Sequence, residues 1–161
     1  MLRLTLWEVF LRTLPEAFLL VFAVYVFSKT VINVKKYIIS STIYIIAVYV
    51  IRLLPIQYGV HTILNIIVIM VLTININKIS IINSIKASVM AMILEFICEG
   101  INVFMIQYVF EVDVKYVLSN PSFKILYSIP SLVIFAVIIG IYNHYLVERK
   151  GLTGAINGKI S

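Results

Sequence analysis

Five apolar runs, at approximately residues 14 to 28, 38 to 55, 60 to 76, 84 to 109 and 123 to 147, account for most of this 161-residue chain. Each reads as an α-helix able to cross a hydrocarbon core of about 30 Å. Strands in lipid must close into a barrel and show alternating segments of about ten residues, a pattern these continuous runs lack. Only 12% of residues are charged, against about 25% in soluble domains, and 62% are hydrophobic. Mean hydropathy is +1.08. The expected fold is an all-α polytopic membrane protein, a bundle of about five transmembrane helices forming one domain over residues 14 to 147. No segment is long enough for a second, soluble domain.

The ends of the runs carry local signals. Thr13 followed by Glu16, with Pro15 in the first turn, predicts a capping box at the start of the first span. Upstream, residues 1 to 13 place Thr5, Glu8 and Arg12 on one helical face and Leu6, Trp7 and Phe10 on much of the rest. They read as an interfacial segment or as an outward extension of the first span. The short apolar core and cleavage site of a secretory signal are missing, so the segment is expected to stay in the mature chain. Ser119 or Asn120 can cap the last span, with Pro121 in its first turn. Pro130 and Gly140 are expected to kink or break that span. The segment "VFEVDVKYVLSNP" alternates polar residues with valines and fits an extended segment or a surface helix equally. Residues 148 to 161, with three glycines and no apolar periodicity, predict a flexible cytoplasmic tail.

Basic residues give the orientation, because Lys and Arg in short loops accumulate on the cytoplasmic side. With five spans, one side receives Lys29, Lys35, Lys36, Lys78, Lys86, Arg149, Lys150 and Lys159, and the other Arg3, Lys115 and Lys124. Eight against three places the N-terminus outside and the C-terminus in the cytoplasm. The net charge of +6 is scattered among loops and builds no clustered face for nucleic acid. The lipid bilayer is the expected partner, in a multi-pass cell-membrane location.

The fourth run carries the chain's most unusual feature. Ser84, Ser88, Ala91, Glu95, Glu99 and Asn102 recur at intervals of three and four, which gathers them on one helical face opposite Ile93, Phe96, Ile97 and Phe104. Such a stripe faces other helices, since lipid tails offer no hydrogen-bond partners. An ionised residue at a span's centre costs about 2.5 to 3.5 kcal/mol on an insertion scale, so the two glutamates need compensation. Protonation is one route; pairing with Arg52 or Arg12 is the other, and Arg52 is the expected partner because it lies within an apolar helix. The network Glu95, Glu99, Asn102, Arg52 and Arg12 is therefore either a structural clamp or a site for proton, cation or polar-ligand handling.

Other polar groups are sparser. His61 and Asn65, four residues apart at the outer start of the third span, follow a turn containing Gln57. His144 falls at the opposite face, so the two histidines share no metal site. Cys98, the sole cysteine, reads as a buried free thiol. No phosphate-cradling Gly-rich loop, His-Glu-x-x-His motif or nucleophile elbow is present. No cofactor and no metal are expected, and an enzyme reading lacks support.

At "LPEAFLLVFAVYVFSKTVINVKKYIIS", "RLLPIQYGVHTILNIIVI" and "SNPSFKILYSIPSLVIF" the chain resembles the membrane-spanning sensor region of clostridial accessory-gene-regulator-type sensor histidine kinases, over approximately residues 8 to 150. In that family a polytopic module detects an extracellular signal, often a peptide, and passes a conformational change to a cytoplasmic kinase. After Lys150 no phospho-accepting helix or ATP-binding domain follows, so kinase activity is not carried over. The resemblance implies a sensor-like or accessory module working through a membrane-protein partner or a homo-oligomer. Gln57, His61, Asn65, Glu111 and Asp113 are then the candidates to face an extracellular peptide or small ligand. A small transporter or transporter subunit using the intramembrane carboxylates is the alternative.

Overall fold

A computed structural model describes residues 12 to 54, 58 to 109 and 121 to 157, and every regular element among them is helical. The helices are α1 (Leu14–Phe27), α2 (Val34–Leu53), α3 (Tyr58–Asn75), α4 (Ile81–Tyr108) and α5 (Pro121–Asn157). Three segments, Val34–Leu53, Ile81–Tyr108 and Leu126–Glu148, are long and apolar enough to cross a membrane, and two shorter apolar helices, Leu14–Phe27 and Gly59–Asn75, accompany them. This is the architecture of a membrane protein.

The shortest helix is the centre of the bundle. α1 packs against α2, α4 and α5 and touches α3, and it buries Ala17, Leu20, Val21, Ala23, Val24, Tyr25 and Val26. A helix apolar on every side has no preferred outer face and is stable when surrounded. Tyr37 of α2 donates its hydroxyl proton to the Phe18 carbonyl at 2.9 Å and sets its ring edge-on to Phe18 and Tyr25. The four outer helices turn aliphatic side chains outward: Ile46, Ile63, Ile93 and Ile141 are each more than half exposed. Patches of that kind are rare on soluble monomers and fit contact with lipid.

The start of α1 differs from the capping box expected at Thr13 and Glu16. Arg12 and Thr13 already form a helical turn of the wider π type, and Thr13 has helical dihedrals, φ −65° and ψ −34°, with no side-chain cap. An N-cap needs an extended backbone, so a residue inside a turn cannot serve. Both side chains are used elsewhere, as described below.

α5 also departs from expectation. It runs unbroken through Pro130 and Gly140 to Asn157, where residues 148 to 157 were expected to be flexible. Pro130 removes one backbone donor, and neighbouring carbonyls find side-chain partners: Asn102 of α4 donates to the Tyr127 carbonyl at 2.7 Å, and Ser131 to the Ser128 carbonyl at 2.8 Å. A glycine inside a helix costs only about 1 kcal/mol relative to alanine, too little for Gly140 alone to end one that is packed in the bundle. Residues 1 to 11 of the interfacial segment expected over residues 1 to 13, the Ser119 and Asn120 caps and the tip of the tail lie outside the described residues.

The turns at one end of the bundle share a backbone device. α1 closes with Lys29 N–H on the Val26 carbonyl and Thr30 N–H on the Tyr25 carbonyl, both 3.1 Å. These are the two bonds of a Schellman motif, and Lys29 takes the left-handed position at φ 55°. After α3, Lys78 is left-handed as well, at φ 58°, and Ile79 N–H reaches back to the Thr73 carbonyl. Asn33 then caps α2 by accepting from Lys36 N–H.

Candidate functional site

The polar stripe of α4 faces the bundle along its whole length. At one end Ser84, fully buried, shares a 2.6 Å hydrogen bond with Thr73 of α3. Thr73 also donates back to the Ile69 carbonyl at 2.7 Å, so the hydroxyl pair is held within the α3–α4 seam. At the other end Asn102 reaches α5, as described, and does not join the charged groups. Between them lie Glu95 and Glu99.

The ion pairs differ from the one expected. Glu99 is held by Arg12, whose Nη2 lies 3.0 Å from Oε1. Arg52 does not reach either α4 glutamate; its Nη2 lies 3.6 Å from Glu16 Oε1 and its Nη1 donates to Thr13 Oγ1 at 3.3 Å. The packing order explains this, because α2 lies against α1 and α3 and makes no extensive contact with α4. A guanidinium near the end of α2 therefore meets α1 first. Glu16 completes the network through Arg12 Nε at 3.8 Å, so it bridges both arginines.

Glu95 has no arginine or lysine partner among the described residues. Glu95 is half-buried, within electrostatic reach of Glu16, Glu99 and Arg12. Tyr44 of α2, 1% exposed, stands within electrostatic reach of Glu95, Glu16 and Arg52. The cluster thus comprises three carboxyl and two guanidinium groups. Arg12, Glu16, Glu95 and Glu99 line a small cavity closed by Ser131 and Phe135 of α5, with about 10 Å³ for the centre of a water-sized sphere. That is room for roughly one water. Cys98, between the two glutamates in sequence, is a buried free thiol on the same cavity.

Sequence reasoning missed Glu16, which it assigned to a helix cap. The signal was present as the four-residue spacing Arg12 to Glu16, which brings the side chains together on a helix. His61 and Asn65 are half-buried on the first turns of α3, and Asn65 Oδ1 is buried without a hydrogen-bond partner. The remaining ligand-facing candidates, Gln57, Glu111 and Asp113, lie outside the described residues. His144 sits 3.6 Å from Glu148 on the exposed side of α5. Among the described residues, no group of three or more metal-ligating side chains is present. No protein-family model, curated protein or solved structure matches the chain.

Proposed function

We propose that this chain is a sensor-like or accessory integral membrane protein of the cell membrane, without catalytic output of its own, acting through a membrane-protein partner. On this reading all five helices span, with the N-terminus outside and the C-terminus cytoplasmic. The observation that supports it most is the ionic cluster around α1. Arg12 ties the central helix to α4 and Arg52 ties it to α2, while the adjoining space holds only about one water. Charges closed upon one another make a clasp between helices rather than a substrate chamber. A change in helix packing at the outer face would open or close that clasp, which is what a signal-transmitting bundle needs. The resemblance to peptide-sensing kinase modules supports the same reading.

Affinity purification from native membranes, followed by quantitative mass spectrometry, tests it. A specific kinase, transporter or other membrane partner is expected, with recovery altered by an extracellular peptide. No partner, together with no peptide response, overturns the proposal.

Glu95 supports a second reading, that of a small proton-coupled transporter or transporter subunit. With three carboxyl groups against two guanidinium groups, one acidic group lacks a basic counterpart. A proton taken up by the cluster would restore the balance, and its release would be the transported charge. Proton flux into proteoliposomes decides the matter: flux lost in Glu95→Gln supports transport, and absence of flux, or flux unchanged in that variant, removes it.

A further inference from the structure

The end of the bundle carrying the α1–α2 and α3–α4 turns has a chemistry the ionic cluster does not explain. Arg12 meets Glu99 at the other end. Fifteen residues further along α1, at Phe27, antiparallel α4 has reached about residue 84 at equal rise per residue. The two turns are therefore neighbours on one rim, and Phe27 packs its ring on Tyr142 of α5 at the same level.

Lys29 and Lys78 are the only non-glycine residues with positive φ among the described residues. Such a conformation is costly for a side-chain-bearing residue and is ordinarily given to glycine or asparagine. Both turns carry lysine there, both lysines are exposed, and Lys35, Lys36 and Lys86 follow on the first turns of α2 and α4. Residues 28 to 36 and 76 to 86 contain no carboxylate at all. The described acid on α5 toward this end is Glu148, whose carboxylate lies 3.6 Å from His144.

Aliphatic side chains stand between these lysines and point outward: Val31 is 83% exposed, Val34 65% and Ile82 67%. Lysines alternating with bare aliphatics at the end of a membrane bundle match the two layers of a lipid surface, phosphate above and acyl chain below. A soluble acidic partner would satisfy the lysines and leave the aliphatics in water.

We propose that this rim is a binding surface for anionic phospholipid headgroups, gripped by Lys29 and Lys78 at the left-handed turn positions and by Lys35, Lys36 and Lys86 beside them. Each lysine contributes about fivefold in affinity, and the attraction falls as salt screens it. Headgroup binding is a use for lysine at two positions whose conformation glycine would adopt at lower cost.

The test titrates the purified full-length chain in neutral detergent with phosphatidylglycerol or phosphatidylcholine, counting bound lipids by native mass spectrometry and following the melting temperature. Phosphatidylglycerol is expected to bind and raise the melting temperature, and phosphatidylcholine to do neither. The pair Lys29→Gly and Lys78→Gly keeps both turns, so the lipid-free protein should melt no lower, yet lose about 25-fold in phosphatidylglycerol affinity. Lys35→Gln with Lys86→Gln, which leaves the turns untouched, should lose a similar factor. Replacing the same four lysines by arginine should preserve binding. Equal binding of the two lipids, or unchanged phosphatidylglycerol affinity in both lysine-removal pairs, overturns the proposal. So does saturation of the rim by an acidic soluble protein with no preference for anionic lipid.

Discussion

Arg12 and Glu99, 87 residues apart in sequence, are joined by a hydrogen bond of 3.0 Å that fastens the start of the central helix to the middle of α4. Both partners are ionisable groups of opposite sign, so the bond is stronger than one between neutral groups, at an ordinary length. Arg12 is 22% exposed and Glu99 42%, which places the pair between the buried and the surface regimes. Its worth is accordingly about 1 to 2 kcal/mol, below the 3 to 5 kcal/mol for breaking a fully buried pair and above the surface median. Arg12→Ala should destabilise the protein by about that amount in reversible unfolding from mixed micelles. The double change Arg12→Ala with Glu99→Ala should cost less than the sum of the singles, because a lone buried charge is then never left behind.

The pairing of Arg52 with Glu16 makes a contrasting prediction. A double-mutant cycle on Arg52 and Glu16 should show a coupling above about 0.5 kcal/mol, whereas the cycle on Arg52 and Glu99 should be additive within about 0.5 kcal/mol. Unfolding free energies of the four variants in each cycle measure both. Additivity at Arg52 and Glu16, with coupling at Arg52 and Glu99, would instead support the pairing read from sequence.

These two arginines show where the sequence was legible and where it was not. The five helices among the described residues, and their approximate limits, follow from apolar run length, a local property of each segment. The polar stripe on α4 follows from helical period, and Ser84, Ser88, Ala91 and Asn102 are indeed buried while Ile93, Phe96 and Phe104 are exposed. Which cation meets which carboxylate depends on the order of helices around the bundle, and no run length carries that. Arg52 looked like the natural partner of Glu95 because both sit in apolar surroundings, but α1 lies between them. Glu16 was read as a cap because Thr13 and Pro15 flank it in a start-like pattern; the helical turn at Arg12 and Thr13 removes the need for one. The unbroken course of α5 through Pro130 was equally hidden, since the Asn102 amide that serves the Tyr127 carbonyl comes from another helix.

That amide gives the third prediction. Asn102→Leu keeps the branched shape of the side chain and removes its donor, leaving the Tyr127 carbonyl near Pro130 with one partner fewer. Interhelical polar contacts in membranes average about 0.6 kcal/mol and reach about 1.7 kcal/mol; a carbonyl within the turn preceding a helix-interior proline belongs toward the upper value. Unfolding measurements should show a loss of about 1 to 1.5 kcal/mol, with little further loss when Pro130→Ala is combined with it. An additive double variant would separate the two features.

The hydroxyl pair of Thr73 and Ser84 yields the last prediction. The two oxygens are 2.6 Å apart, both residues are fully buried, and Ser84 also lies 3.3 Å from the Met70 carbonyl. Thr73→Val removes one hydroxyl at nearly constant shape, so Ser84 keeps only the Met70 carbonyl as acceptor, and the α3–α4 seam should weaken by about 0.5 to 1.5 kcal/mol. Ser84→Ala removes the other hydroxyl while Thr73 retains its bonds to the Ile69 and Met70 carbonyls, so its cost should be the smaller of the two. With both hydroxyls gone neither is left without its partner, and the double variant should be less destabilised than the sum of the single changes. Melting temperatures of the three variants in one detergent provide the comparison, and a strictly additive result would mean that the two hydroxyls do not share a bond.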